Sequence, residues 1–216
     1  MPVRSLCRRY SHSSASLARL FANLKHVDGS IRIQYNGKGL DALDWLGGLT
    51  CVTHDLYINS NPFLRSLSGL AKTGTLVIGG TLSISSNARL GTASLADTAP
   101  LPSMLNVAGP TYVSKNPLLK EFMATGRTVL RFSGGLRIQG NPLLARVATS
   151  PHRFAVSKEL HVYGNPRLGP GVLCRLVGRC RSQRVDRVIL SQVCLYTLLR
   201  AMAREWLTRS FQICGV

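Results

Sequence analysis

Acidic residues are scarce in this chain. Its 216 residues include nine Asp and Glu and five His against twenty-seven Lys and Arg, a formal net charge of +18. So few carboxylates and imidazoles leave little material for acid–base or metal chemistry. No uninterrupted apolar run reaches the roughly 18 residues of a membrane-crossing helix. The longest candidate, Val188 to Leu199, is bounded by Arg187 and Arg200, so membrane attachment is not visible in this chain. There is no Asn-x-Ser/Thr sequon, no Gly-x-Ser-x-Gly elbow, and no glycine pattern of a P-loop or dinucleotide site. Cys-x-x-Cys is missing too, and no His pair stands at ligand spacing, which argues against zinc. No metal or cofactor is expected.

Six cysteines are present, Cys7, Cys51, Cys174, Cys180, Cys194 and Cys214. Their even number permits bridges in an oxidising compartment, and Cys174 with Cys180 either clips the last coil or stays unpaired. The positive charge is concentrated at the ends. Residues 1–27 hold five basic and no acidic residues, and 167–216 hold nine Arg against Asp186 and Glu205. The middle is close to ordinary, and no basic run is interleaved with aromatics as a single-strand stacking platform requires, which argues against nucleic acid as the partner. The start is rich in Arg and Ser without acids, in the manner of a transit peptide, and has no apolar core for secretion.

A repeat organises the middle of the chain. Aligned on asparagine, the units are IRIQYNGKG, LYINSNPFL, LSISSNARL, TYVSKNPLL, LRIQGNPLL and LHVYGNPRL, centred on Asn36, Asn61, Asn87, Asn116, Asn141 and Asn165. A period of this size marks a solenoid. Each unit alternates apolar and polar residues, with Ile33, Ile58, Ile84, Val113, Ile138 and Val162 at the third position, the period of a short strand. Pro62, Pro117, Pro142 and Pro166 follow four of the asparagines and end strand pairing. The Asn amide can then bond backbone groups that the turn leaves unpaired, one Asn stacking on the next as a structural ladder. A second apolar position follows at Leu64, Leu90, Leu119, Leu144 and Leu168, with Leu40 displaced by one, and Gly79–Gly80 and Gly134–Gly135 mark corners. Stacked units would share one core that no single unit can bury.

These residues resemble the receptor L-domain family, the leucine-rich-repeat-like right-handed β-helix of insulin- and epidermal-growth-factor-receptor ectodomains and of protist surface proteins. The stretches that carry it are FANLKHVDGSIRIQYN from Phe21, DALDWLGGLTCVTHDLYINSNPFLRSLSGL from Asp41, and GGLRIQGNPLL from Gly134. The resemblance runs from Phe21 to Leu168 and implies a ligand-binding module at the cell surface or secreted. The tail departs from the pattern. The expected organisation is a basic, disordered segment over 1–20, a mainly β solenoid of about six coils over 21–169, and an Arg- and Cys-rich tail over 170–216. That tail is read as a capping helix with a partial stripe of Ile189, Val193, Tyr196, Leu199 and Leu207.

The outward strand positions two and four are Arg32 and Gln34, Tyr57 and Asn59, Ser83 and Ser85, Tyr112 and Ser114, Arg137 and Gln139, His161 and Tyr163. None is acidic, so paired carboxylates for glycoside chemistry cannot come from this face. Asp41, Asp44, Asp55 and Glu159 read as turn residues on corners, and Cys51 with His54 lacks an orienting partner for nucleophilic catalysis. The face instead offers Arg32, Tyr57, Tyr112, Arg137, His161 and Tyr163, residue types suited to a protein or glycan contact. The same residues also fit plain solvated sheet positions. The expected function is therefore non-catalytic recognition of a protein or glycan ligand. The alternatives are a polysaccharide-acting enzyme on a β-helix scaffold and an intracellular basic adaptor that binds acidic partners through its ends.

Overall fold

The computed structural model describes residues 14–71, 75–91, 104–122, 129–147, 154–169, 172 and 187–190. Among them the protein is a β-solenoid, mainly β, with every strand pair parallel. One long sheet contains His26–Val27, Cys51–Val52, Thr75–Ile78, Met104–Val107, Val129–Phe132 and Phe154–Val156, stacked in chain order. The other contains Ile31–Gln34, Leu56–Asn59, Leu82–Ser85, Thr111–Ser114, Leu136–Gln139, Glu159–Tyr163 and Arg187–Leu190. Each unit gives one strand to the first sheet, turns a corner, and gives the next to the second. A short third side appears where Glu121–Phe122 pairs with Arg146–Val147, braced by an ion pair between Arg146 and Glu121.

Period-two patterning explains the core. In the second sheet the first and third positions point inward, so Ile31, Leu56, Leu82, Leu136 and Leu160 form one buried column and Ile33, Ile58, Ile84, Val113, Ile138 and Val162 another. Val27, Val52, Ile78, Val107, Phe132 and Val156 meet them from the first sheet, and the turn leucines Leu40 to Leu168 close the third side. These residues belong to one continuous apolar cluster.

The turn after each strand is built in two steps. First the residue before the asparagine takes a left-handed conformation: Tyr35, Ser60, Ser86 and Lys115 at φ 55 to 58°, and Gly140 and Gly164 at 63 and 64°. Then a β-turn closes from the Asn carbonyl to the leucine three residues on, as in Leu64 N–H to Asn61 O at 3.2 Å and Leu144 N–H to Asn141 O at 3.0 Å. Proline sits second in four of these turns, where its fixed φ suits a type I turn. The first unit is shifted by one, closing from Gly37 O to the Leu40 N–H at 3.2 Å.

The left-handed kink breaks the backbone ladder, and the asparagines repair it. Asn116 is representative. Its Oδ1 accepts from the Asn87 backbone N–H at 3.0 Å, and its Nδ2 donates back to Ile84 O at 3.0 Å and forward to Asn141 Oδ1 at 3.3 Å. Its own backbone N–H donates to Asn141 Oδ1 at 3.0 Å. The same pattern links Asn61 to Ile33 and Asn87, Asn87 to Ile58 and Asn116, and Asn141 to Val113 and Asn165. All six asparagines are buried, so every one of these polar groups depends on its neighbour for a partner.

At the opposite corner, glycine lets the coils touch. A Cβ on Gly109 would lie 2.5 Å from the Gly80 carbonyl carbon, and one on Gly134 would lie 2.1 Å from that of Gly109. Asp55 fastens the same corner in the early coils, its Oδ1 accepting from the Thr81 N–H at 2.7 Å.

Two expectations about the ends change. Ser14–Phe21 is an α-helix, α1, so the helix takes in residues 14–20 of the segment expected to be disordered. Leu17 and Phe21 lie one helical turn apart; Leu17 is buried, and the Phe21 ring stacks 5.5 Å from that of Trp45. Ser14 Oγ ties the helix start to Asp41 Oδ1 at 2.7 Å. In the tail, Ile189 lies in the strand Arg187–Leu190, not in a helix, because that segment adds to the sheet beside Glu159–Tyr163. Val193, Tyr196, Leu199 and Leu207 lie outside the described residues, as do all the cysteines but Cys51, which is a free thiol.

Candidate recognition face

The second sheet turns its even positions outward, and parallel pairing puts them in rows. One row reads Arg32, Tyr57, Ser83, Tyr112, Arg137 and His161, in register from strand to strand. The other reads Gln34, Asn59, Ser85, Ser114, Gln139 and Tyr163. At about 4.8 Å per strand the first row runs about 24 Å.

Within that row the cations lie on the aromatics. The Arg32 guanidinium sits 5.5 Å from the Tyr57 ring centroid, and that of Arg137 sits 5.7 Å from Tyr112. Such contacts hold a long side chain and a ring in one geometry. Between the two pairs Ser83 is 8% exposed, and its Oγ donates to Asn59 Oδ1 at 3.0 Å. Asn59 Oδ1 also accepts from Ser85 Oγ at 2.8 Å, while Tyr163 donates to Gln139. The Tyr57 phenol is pushed above its ordinary value, first by burial and then by the Asp55 carboxylate.

His161 does not stand in solvent as expected. It is 8% exposed, because the strand Arg187–Leu190 pairs beyond it and leaves its strand with neighbours on both sides. Its Nε2 lies 3.1 Å from Glu159 Oε2. Glu159 is a correction as well. It heads the strand Glu159–Tyr163 instead of lying in a turn, and two residues before His161 it shares that residue's face. Asp41 and Asp55 do bond corner groups, and Asp44 opens the 3₁₀ turn Asp44–Leu46.

At the corner end of the row the chain forms a cleft of about 100 Å³, lined by Pro110, Thr111, Tyr112, Gly134–Arg137, Glu159 and His161. Three residues of the expected face, Tyr112, Arg137 and His161, come together there. Arg32 and Tyr57 lie at the other end of the row, and Tyr163 in the second row. Thr111 replaces the inward leucine of other coils, and its buried Oγ1 has no hydrogen-bond partner among the described residues. Sequence reasoning passed over Thr111 and read Glu159 as a turn residue. Their signals are a hydroxyl in a column of leucines and an acid two residues from His161. No group of three or more His, Cys, Asp or Glu able to hold a metal occurs among the described residues.

Fold and face together define a β-solenoid with a buried asparagine ladder and an Arg/Tyr outer row. No family model, curated protein or solved structure matches the chain.

Proposed function

We propose that the chain is a non-catalytic recognition module that binds a protein or glycan ligand through the outer face of its second sheet. The observation that carries this reading is the outer row itself, in which two Arg–Tyr stacks flank a small serine on a rigid sheet. Tyr and Arg are the residue types that anchor binding surfaces, and a parallel sheet fixes them with little entropy left to lose on binding. The receptor L-domain resemblance supports the same reading and suggests a cell-surface or secreted setting.

The test is to display the full chain against arrays of glycans and of secreted proteins, at low and at high salt. A saturable ligand that survives high salt and is lost in a Tyr57→Ala/Tyr112→Ala variant supports the proposal. Binding that the double variant keeps, binding that vanishes with salt, or turnover of a bound polysaccharide overturns it.

A further inference from the structure

We infer that the cleft at Tyr112, Arg137, Glu159 and His161 is a subsite for a carboxylate-bearing sugar, a hexuronate residue of an acidic glycan. The inference rests on the recognition reading and narrows its ligand. Its basis is the set of groups that three successive coils bring to one small space.

The cleft exists because glycine lines it. Gly134 carries no side chain because the coil beneath approaches too closely, and Gly135, at φ 99°, would place a Cβ 3.0 Å from Glu159 O. The space left between Pro110 and Glu159 is about 100 Å³. That is below the roughly 300–1,000 Å³ of sites that enclose a whole drug-sized ligand. One end of a single sugar ring fits it, and a chain does not.

The walls differ in charge. On one side the Arg137 guanidinium sits 5.7 Å from the Tyr112 ring centroid. Its planar set of N–H donors matches a carboxylate. Among the described residues Arg137 has no ion-pair or hydrogen-bond partner, since Glu159 is directed to His161. On the other side Glu159, its side chain 45% exposed, offers carboxylate oxygens that accept hydroxyl protons.

Simple ligands match only part of this. An inorganic anion satisfies Arg137 but faces the Glu159 carboxylate, and an apolar group leaves all the polar walls unpaired at a cost. A uronate carries both complements: a carboxylate for Arg137 and hydroxyls that donate to Glu159.

The experiment is calorimetric titration of the full chain with methyl glucuronide, methyl glucoside and sulfate. Glucuronide should bind, and the neutral glucoside about tenfold or more weakly, the size of one charge-assisted hydrogen bond. Arg137→Gln should bring glucuronide down to the glucoside level, and Glu159→Gln should weaken both sugars. Arg131→Gln, exposed on the first sheet and off the proposed face, should change neither. Circular dichroism and a thermal melt check that each variant folds. Equal binding of glucoside and glucuronide, equal binding of sulfate, or an unchanged Arg137→Gln overturns the inference. So does absence of glucuronide binding when a Tyr57-dependent ligand is found on the arrays, a result that leaves the recognition reading standing. Failure of both experiments overturns both.

Discussion

Replacing Asn116 by Ala tests whether the asparagine ladder, rather than apolar packing alone, holds the coils in register. The substitution removes the acceptor of the Asn87 backbone N–H at 3.0 Å and the donor to Ile84 O at 3.0 Å, both in a buried setting. Each buried backbone group left unsatisfied costs about 1–3 kcal/mol, so two cost about 2–6 kcal/mol. Total stabilities are about 5–15 kcal/mol, which makes a loss of this size plain in urea unfolding. Asn36→Ala should cost less, because Asn36 donates to Asn61 Oδ1 at 2.8 Å from the first unit and has no earlier unit's Asn to serve. Asn116→Asp keeps the shape and the acceptor but loses the amide donors, and a carboxylate then faces Ile84 O and Asn141 Oδ1. It should therefore be at least as harmful as Ala at neutral pH. The measurement is the unfolding free energy by linear extrapolation, with m-values compared to show that the same structure unfolds. An Asn116→Ala loss under about 1 kcal/mol, or an Asp variant near wild type, would refute the argument.

Two further outcomes are expected. Gly134→Ala must push a Cβ to 2.1 Å from the Gly109 carbonyl carbon, whereas Gly37 has nothing within 4 Å. The first should lose about 1–3 kcal/mol or more by overpacking and the second should be neutral or slightly stabilised, read as melting temperatures side by side. Tyr57, raised by burial and by Asp55, should titrate above the ordinary tyrosine value of about 10 in a 295 nm absorbance titration, and Asp55→Asn should reverse only the smaller part. Because the folded phenol binds its proton more tightly than the unfolded one, this contribution to stability is complete below about pH 10 and is lost as pH rises through the folded value. A Tyr57→Phe variant that keeps the same alkaline decline in stability would contradict that assignment.

The solenoid was legible because its signals are periodic. Leucine and isoleucine at two-residue spacing fix which side of each strand is inside, and Asn with Pro at a regular interval locates each turn. The left-handed residue before the asparagine was not legible. Tyr35, Ser60, Ser86 and Lys115 hold it without any side-chain signature, and only Gly140 and Gly164 hint at it. The strand Arg187–Leu190 escaped notice because no Asn-Pro turn follows it, and its apolar run also suits a helix. Its pairing is what buries His161. The outer row could be listed from the sequence, but which of its members meet depends on the corner. There the glycines open a cleft that joins Arg137 to Glu159, a residue outside the row.

Variation in unit length has a consequence for how such a protein changes over time. The ladder asparagines are spaced by 24 to 26 residues except between Asn87 and Asn116, which lie 29 apart. Yet the step from Met104 to Thr111 equals that from Thr75 to Leu82 and from Val129 to Leu136. The extra residues fall between Asn87 and Met104 in the sequence. Strand, corner and asparagine turn act as a fixed gauge, and the return segment is the slack. Insertions and spliced sequences should gather there, where chain can be added without shifting a single pair of the register.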